Sequence, residues 1–412
     1  MKYGLIGEHL GHSFSREIHM KFRDYEYELC EVSPRDFDAF MMRRDFLAIN
    51  VTIPYKELAL PYLYYIDDKA KEIGAVNTVV NRGGKLYGYN TDFLGMRALL
   101  SHAGISLENR KVAVLGTGGT SKTAVAVARD GGALGTVKVS RRRCEDAITY
   151  AELYKDFSDV EIIINTTPSG MYPNNYTCPI DLSRLPNLLG VIDAVYNPVR
   201  TLLVSEAMRR GIPAEGGLYM LVEQAVRASE YFLDDKAPEG IVDKIYGELK
   251  EKKENIVLIG MPASGKSTVG KIIAERLSRE LIDTDSEIVK SAGIAIPEIF
   301  EKFGEEHFRN LESEVIFEVA KNSGAVIATG GGAVLRCENI YALKENGRVY
   351  FIDRPLDKLI PTEDRPLSKT REAIEKRFNE RYEIYRSSAD VIIDGDGSPY
   401  DVAERILGDF CK

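Results

Sequence analysis

The 412-residue chain lacks the features that mark disulfide-bonded, zinc-binding or membrane proteins. Its five cysteines never form a C-x-x-C pair: Cys30, Cys144, Cys178, Cys337 and Cys411. We therefore expect free thiols in a reducing cytoplasm, and neither disulfides nor a zinc site. No apolar run approaches the ~18 residues that a membrane span requires. The first residues show no signal-peptide core, so we expect no secretory leader.

The chain also lacks an excess of basic residues. Its 54 Lys and Arg residues against 63 Asp and Glu residues give a net charge of −9. Nucleic-acid binding depends largely on a basic surface, so we predict no nucleic-acid partner. With 44% hydrophobic and 28% charged residues, the composition indicates an ordinary globular protein of two or three domains. We expect small molecules as partners, and the composition leaves the oligomeric state open.

The most specific motif is a phosphate-binding loop. An apolar run over 255–259 leads into GMPASGKS, which matches G-x-x-x-x-G-K-[ST] before a helical segment. In such loops backbone N–H groups surround the phosphates, the lysine reaches the β- and γ-phosphates, and the hydroxyl binds Mg²⁺. We therefore predict ATP and Mg²⁺ as ligands, in preference to an ordinary turn before a helix. The predicted ATP-binding residues are Gly260, Ala263, Ser264, Gly265, Lys266, Ser267 and Thr268, and Ser267 is also a metal ligand.

A second glycine-rich loop lies in the first half of the chain. A strand predicted over 111–115 is followed by GTGGTSKTA and a helical run to Arg129. The spacing differs from G-x-G-x-x-G, but it still lets a dinucleotide pyrophosphate approach a helix N-terminus. The next predicted strand, 136–139, ends in Ser140 and three arginines, which favour the 2′-phosphate of NADP; a solvated basic turn is the alternative. The predicted NADP contacts here are Gly116, Gly118, Gly119, Thr120, Ser140, Arg141 and Arg142.

Four polar clusters occur at predicted strand ends and turns within the first 100 residues. They read HSFS (12–15), NVTIPYK (50–56), GAVNT (74–78) and GYNTD (88–92). Hydroxyl, amide, lysine and aspartate groups that converge on one cleft would suit a small polyhydroxylated acid. Reduction of a ketone by hydride leaves an alkoxide that needs a proton, and a lysine beside an aspartate can supply it. Since no Cys/His metal pattern is present, we do not expect a zinc-dependent reduction.

Short predicted strands alternate with helices throughout the first half. Strands are predicted at 3–7 and 47–52, and a hairpin joins 76–80 to 85–89. The segment 246–254, YGELKEKKE, is charged and helix-prone and shows no apolar face. We interpret it as the end of one domain and a short, stiff connector to the next.

Residues 1 to about 250 resemble the shikimate dehydrogenase family. The family's clusters occur in order along the whole segment: HSFS, NVTIPYK, GAVNT, GYNTD, GTGGTSKTA, NTTPSGM and GLYMLVEQ. The resemblance implies NADPH-dependent reduction of 3-dehydroshikimate to shikimate, with Lys56 and Asp92 as the catalytic pair. It implies further that Thr166, Gly217 and Met220 contact NADP. The implied substrate-binding residues are Ser13, Ser15, Thr52, Asn77, Tyr196 and Gln224, the last being the chain's single glutamine.

Three further patterns follow the phosphate loop. The stretch LIDTD is predicted to end a strand, so that Asp283 and Asp285, two residues apart, point the same way toward metal and substrate. Arg309 and Glu312 lie one helical turn apart, which suits a carboxylate-binding arginine held by an ion pair. Gly330–Gly332 follow an apolar strand and would let a substrate ring lie against bare backbone.

Residues 255–412 resemble the shikimate kinase family over their full length. The resemblance implies ATP-dependent phosphorylation of shikimate to shikimate 3-phosphate, with Asp283 as a metal ligand and Asp285 as the candidate catalytic base. It also implies that Arg365 contacts ATP from a lid segment. The implied substrate-binding residues of this half are Asp285, Arg309, Gly330, Gly331, Gly332 and Arg381.

Together these patterns predict an α/β fold: a two-lobed dehydrogenase with a Rossmann-like NADP lobe, followed by a P-loop kinase domain with a parallel sheet. The predicted boundaries are 1–100 for the substrate lobe, completed by helices from about 222–250, then 101–221 for the NADP lobe and 255–412 for the kinase.

Three alternatives stay open. The first half could act on a related acid such as quinate. The whole chain could be a regulatory binding protein with degenerate sites, although intact Lys56, Asp92, Lys266 and Asp285 argue against this. Asp92 could also serve as the N-cap of the helix that starts at Phe93.

Overall fold

A computed structural model describes residues 1–11, 14–360 and 370–411. Contacts between residues divide the chain into two units, Met1–Glu248 and Leu249–Lys412. Across the described part of the chain, no helix is both long and apolar enough to span a membrane.

The first unit opens with a mixed six-stranded sheet in the order β2-β1-β3-β5-β6-β4. The strand predicted at 3–7 is confirmed, the one predicted at 47–52 is shorter, and the predicted hairpin is formed by β5 and β6. The elements in chain order are β1 (Tyr3–Gly7), α1 (Ser15–Phe22), β2 (Tyr27–Glu31), α2 (Phe37–Arg43), β3 (Ala48–Val51), α3 (Tyr55–Leu58), β4 (Tyr65–Ile66), α4 (Asp68–Ile73), β5 (Thr78–Arg82), β6 (Lys85–Tyr89) and α5 (Thr91–His102).

A second sheet follows in the same unit, and all of its pairings are parallel. Its order is β12-β11-β10-β7-β8-β9. Read from the β9 end, with β7 counted as strand 1, this is the order 3-2-1-4-5-6. The order reverses beside β7, where a Rossmann-type sheet binds its nucleotide. The elements are β7 (Lys111–Leu115), α6 (Gly119–Asp130), β8 (Gly135–Ser140), β9 (Ile148–Thr149), α7 (Tyr150–Asp156), β10 (Ile162–Asn165), β11 (Gly190–Asp193), α8 (Leu202–Arg209), β12 (Ala214–Glu215), α9 (Leu218–Leu233) and α10 (Ile241–Lys253).

Helix α9 returns to the first sheet and packs against α5, α1, β3 and β5. Gly95 makes the approach of α5 and α9 possible, because a Cβ at this position would lie 2.7 Å from the Met220 carbonyl oxygen. The two helices that carry Asp92 and Gln224 therefore lie in direct contact.

The prediction that the connector has no apolar face is wrong. The segment 246–254 lies mostly within α10, and Leu249 is completely buried. Together with buried Val242 and Ile245 it forms an apolar stripe at helical spacing. The stripe was missed because the sequence window began at residue 246, after two of its three members.

The second unit is built on a parallel five-stranded sheet in the order β14-β15-β13-β16-β17. The phosphate loop joins its central strand to the next helix. The elements are β13 (Asn255–Ile259), α11 (Lys266–Leu277), β14 (Leu281–Asp283), α12 (Thr284–Ala292), α13 (Ile296–Val319), β15 (Val326–Ala328), α14 (Cys337–Glu345), β16 (Gly347–Asp353), α15 (Arg371–Ser388), β17 (Val391–Asp394) and α16 (Pro399–Phe410).

Candidate active sites

Lys56 and Asp92 form an ion pair at the centre of the first unit. Lys56 Nζ lies 2.5 Å from Asp92 Oδ2, and the two side chains are only 16% and 10% exposed. Asn90, and not Asp92, caps α5, since the Asn90 side chain accepts a hydrogen bond from the Phe93 N–H. The Asp92 carboxylate is therefore left to accept a hydrogen bond from the Lys56 amino group.

Asn77 joins this pair to the other predicted substrate residues. Its Nδ2 donates to Asp92 Oδ1 at 2.9 Å, and it lies 3.4 Å from Gln224 Oε1. Its Oδ1 accepts from the Thr91 N–H at 2.7 Å, which fixes the orientation of the amide. Sequence reasoning missed Thr91, although it directly precedes Asp92 within the GYNTD cluster.

Three of the four remaining predicted substrate residues, Ser15, Thr52 and Tyr196, lie within the described part of the chain. Ser15 is the buried first residue of α1, and Thr52 directly follows β3. Tyr196 contacts the ring of Phe14 edge-on at 5.6 Å, and burial raises the pKa of its hydroxyl. Ser13 lies outside the described residues.

The glycine loop after β7 needs glycine at its first position. Gly116 has φ +111°, and a Cβ there would lie 2.7 Å from Thr166 Oγ1. Helix α6 begins at Gly119, where a Cβ would lie 3.9 Å from Lys56 Cδ. The helix N-terminus predicted to hold a pyrophosphate thus lies next to Lys56, one of the two predicted catalytic residues. Thr120 lies in the first turn of this helix, and Gly118 precedes it.

Gly217 directly precedes α9 and occupies its N-cap position. A Cβ at Gly217 would lie 2.3 Å from the Ala194 carbonyl oxygen, so only glycine fits there. Met220, one turn into α9, is buried. The contact of these two residues with NADP stays a prediction.

The three arginines follow Ser140, the last residue of β8, and all three are exposed. Arg143 forms an ion pair with Glu152 at 3.1 Å. Arg141 and Arg142 are therefore the better candidates for a 2′-phosphate, as predicted for those two positions.

The phosphate loop of the second unit has the backbone of an anion cradle. Gly260, Ala263 and Gly265 all have positive φ angles, of 153°, 66° and 91°. The Lys266 Nζ donates to the carbonyl oxygens of Gly260 and Met261 at 2.9 and 3.0 Å. The lysine is therefore folded over the loop that α11 continues. Ser264 is buried within the loop, and Thr268 lines the cavity beside it.

Asp283 and Asp285 lie together, but not by strand alternation. The strand ends at Asp283, whose Oδ1 caps α12 by accepting from the Asp285 and Ser286 N–H groups at 3.1 and 3.2 Å. Asp285 is in the first turn of that helix, so the predicted reason for their proximity is wrong. Asp283 Oδ2 accepts from the Ser267 hydroxyl at 2.6 Å. The two predicted metal ligands therefore share one corner of the loop.

Arg309 and Glu312 form the predicted ion pair within α13, with Nη1 2.7 Å from Oε2. Burial lowers the pKa of Arg309, but Glu312 and Glu305 outweigh that effect and raise it overall, so the guanidinium stays charged. A Cβ on Gly332 would lie 1.9 Å from Arg309 Nη1, and one on Gly330 would lie 2.4 Å from Asp285 Oδ1. The glycine run is therefore the surface against which both charged groups rest.

These groups surround a cavity of about 510 Å³. Arg381 lies on its wall and donates from Nη1 to the Gly331 carbonyl oxygen at 3.1 Å. Sequence reasoning missed Arg377, Phe300 and Phe308, which also line the cavity. Arg377 could have been found from its spacing, since it precedes Arg381 by four residues. Arg365 lies outside the described residues.

Comparison with known proteins matches both units. A family model described as "Shikimate dehydrogenase substrate binding domain" matches residues 5–79, and one described as "Shikimate kinase" matches residues 262–410. A shikimate dehydrogenase (NADP(+)) of Clostridium perfringens is 37% identical over 267 residues, which cover 60% of this chain and 98% of the relative. A shikimate kinase of Clostridium beijerinckii is 48% identical over 148 residues, 35% of this chain and 87% of the relative.

A solved structure is similar to the first part of the chain. The crystal structure of shikimate dehydrogenase 1 from Peptoclostridium difficile has a TM-score of 0.56 and 36% sequence identity. It covers 60% of this chain and 98% of its own.

Proposed function

The chain belongs to the shikimate dehydrogenase family in its first part and to the shikimate kinase family in its last part, and from this premise we propose roles for its site residues. The protein is a bifunctional enzyme of the shikimate pathway. Its first part reduces 3-dehydroshikimate to shikimate with NADPH, and its last part phosphorylates shikimate with ATP. We propose that the two sites are those built on Lys56 and on Lys266.

In the reductase, we propose that Lys56 protonates the carbonyl oxygen as the ketone becomes an alcohol. Bound NADPH supplies the hydride that reaches the carbonyl carbon. The hydrogen bond to Asp92 at 2.5 Å fixes the position of the Lys56 amino group, and Asn77 and Gln224 hold the substrate hydroxyls. Gly118, Gly119 and the N-terminus of α6 suit a pyrophosphate, because a Cβ at Gly118 would meet nothing within 4 Å and the helix N-terminus attracts anions.

In the kinase, we propose that Asp285 accepts the proton of the attacking hydroxyl while Arg309 and Arg381 bind the substrate carboxylate. Bound ATP supplies the phosphoryl group. Ser267 and Asp283 would hold Mg²⁺, since hydroxyl and carboxylate oxygens suit this hard cation and the two side chains are 2.6 Å apart. Charge placed by these groups around the transferring phosphoryl is the main source of catalysis in this reaction class.

One observation carries each assignment. For the reductase it is the buried Lys56–Asp92 pair beside the N-terminus of the loop helix. For the kinase it is the cavity that holds the phosphate loop, Asp285 and two arginines together. Five free cysteines support the further proposal of a cytoplasmic location.

The test uses the purified full-length protein. NADPH oxidation is followed with 3-dehydroshikimate, and ATP consumption with shikimate, each with quinate-type acids as comparison substrates. The proposal requires turnover in both assays and a clear preference for the shikimate series. Binding of both nucleotides without turnover would favour a regulatory protein instead.

A further inference from the structure

The kinase cavity contains one cationic side chain that the proposed reaction does not use. Arg377 lines the cavity together with Arg309 and Arg381. It lies on α15 four residues before Arg381, so that the two side chains project from the same face of the helix. Arg377 is half-buried, whereas Arg386 on the same helix is exposed and does not line the cavity.

The three arginines of the cavity differ in their partners. Arg309 is neutralised by Glu312 at 2.7 Å and Glu305 at 3.1 Å. Arg381 donates to the Gly331 carbonyl oxygen at 3.1 Å, and Arg377 to the Ala373 carbonyl oxygen at 3.3 Å. Among residues 1–11, 14–360 and 370–411, neither of these two guanidinium groups forms an ion pair with a carboxylate. Two cationic groups that form no close ion pair within the described residues therefore adjoin one cavity.

The surroundings of Arg377 place it on the carboxylate side of the site. Burial lowers the pKa of Arg377, the charge of Arg381 lowers it further, and Glu305 opposes the shift. The charges that most affect the pKa of Arg377 include those of Arg381 and Arg309, the residues proposed to bind the substrate carboxylate, and do not include that of Lys266 in the phosphate loop. An anion bound between the arginines would remove their mutual repulsion and gain charge-assisted hydrogen bonds.

We propose that Arg377 is a third guanidinium that binds the carboxylate of the kinase substrate, beside Arg309 and Arg381, and so helps to select cyclic polyhydroxylated carboxylic acids. This inference rests on the proposed phosphorylation of shikimate by the second unit. It adds a specificity residue that neither the phosphate loop nor the glycine run supplies.

The test compares Arg377→Leu with the wild type in the full-length protein. Loss of one charge-assisted contact should raise the KM for shikimate about ten- to a hundredfold. The KM for ATP should stay within about twofold, because the phosphate loop is unchanged. Arg386→Leu is the matched control, since it removes an arginine from the same helix outside the cavity, and it should leave both KM values unchanged.

A substrate analogue separates carboxylate recognition from a general loss of packing. The carboxamide of shikimate keeps the ring and hydroxyls but carries no negative charge. The wild type should prefer shikimate over this amide, and Arg377→Leu should lose about the same ten- to hundredfold of that preference. Arg377→Lys should restore part of it, because it restores the charge without the planar fork.

Several outcomes would overturn the inference. A raised KM for ATP with an unchanged KM for shikimate would assign Arg377 to the nucleotide. Equal losses for shikimate and its amide would show a packing role. If Arg377→Leu does not fold, the same comparison is made with Arg377→Gln, and an unchanged preference there contradicts the proposal. Failure of the wild type to phosphorylate shikimate would refute the proposed function itself, which is a different result.

Discussion

At the scale of single residues, the account depends on charged groups whose partners are fixed by neighbouring polar side chains. Asp92 is available to Lys56 because Asn90 takes over the capping of α5. Arg309 stays charged inside the kinase cavity because Glu312 lies one turn away. The exposed arginines after β8 and one buried histidine also allow predictions, because their surroundings determine which charges they meet.

Cofactor selection should depend on Arg141 and Arg142 more than on Arg143. Replacement of the first two by Ala removes charge-assisted contacts to the 2′-phosphate and should lower the preference for NADPH over NADH by about ten- to a hundredfold each. Arg143→Ala is the matched control, since that arginine is already paired with Glu152 at 3.1 Å. The measurement is the ratio of kcat/KM with the two cofactors. An equal effect at all three positions would contradict the assignment.

His19 should make the first unit sensitive to acid. Burial lowers the pKa of His19 to about 3, from an ordinary value of 6.5, and its ring stacks on Tyr27 at 4.1 Å. The unfolded chain therefore binds a proton as the pH falls below about 6.5 while the folded chain does not, so stability declines in that range. The contribution amounts to about 1.4 kcal/mol per pH unit.

His19→Phe keeps an aromatic ring in the stack and removes the titration. Thermal inactivation of the dehydrogenase between pH 6 and pH 4 should accelerate less steeply in this variant than in the wild type. Parallel pH profiles for the two proteins would show that His19 contributes nothing to acid sensitivity.

At the scale of elements, the glycine-rich loops after β7 and β13 are the predicted sites of nucleotide binding. Buried strands lead into each of them, and the helix that follows begins within or just after the loop. A Cβ on Gly116 would lie 2.7 Å from Thr166 Oγ1, and one on Gly260 would lie 2.9 Å from Ser264 Oγ, so a side chain at either position would displace a hydroxyl group of the site.

Gly332→Ala should impair the kinase without unfolding it. The added Cβ would lie 1.9 Å from Arg309 Nη1, and the flexible guanidinium would move away from Glu312 to make room. The KM for shikimate should rise at least tenfold with little change in thermal stability. Gly408→Ala is the control, because nothing lies within 4 Å of a Cβ at that position of α16, and Ala stabilises a helix by roughly 0.5–1 kcal/mol. A wild-type KM in Gly332→Ala would contradict the role of the glycine run.

Elements with strong local signals could be predicted from the sequence. The strands 3–7 and 111–115 match the structure because their apolar runs are bounded by glycine or charge. Two features could not be predicted. The first turn of α12 places Asp285 by capping, which a strand period does not describe, and the apolar stripe of α10 begins outside the charged segment. Thr91 needed the fold, since its role depends on a contact with Asn77, which is distant in sequence.

At the scale of the whole molecule, α10 is the element that decides how the chain can be divided. Its early part makes hydrogen bonds within the first unit: Tyr246 donates to Glu215 at 2.9 Å, and Tyr219 donates to Asp243 at 2.8 Å. Its end makes hydrogen bonds within the second unit. The carbonyl oxygen of Glu251, and that of Glu254 just after the helix, accept from Arg279 at 2.6 and 2.8 Å. A cut near Glu251 would interrupt this helix.

Overlapping fragments 1–253 and 249–412 should each keep their own activity. Each retains the part of α10 that its unit contacts, so kcat and KM of both reactions should stay within about twofold of the intact chain. Covalent linkage should add little, because free shikimate diffuses away quickly compared with a typical turnover of ~10 s⁻¹. Progress curves of the coupled reaction should therefore show the same lag for the intact chain and an equimolar mixture of fragments. No lag in the intact chain alone would indicate direct transfer.

The most direct test of two separate sites in one chain uses the full-length variants Lys56→Ala and Lys266→Ala in a coupled assay with 3-dehydroshikimate, NADPH and ATP. Lys56→Ala should lose roughly 10²–10⁴-fold in NADPH oxidation, yet phosphorylate added shikimate at the wild-type rate. Lys266→Ala should oxidise NADPH normally and accumulate shikimate. Mixed together, the two variants should form shikimate 3-phosphate after a lag. Loss of kinase activity in folded Lys56→Ala, or no product from the mixture, would contradict the account.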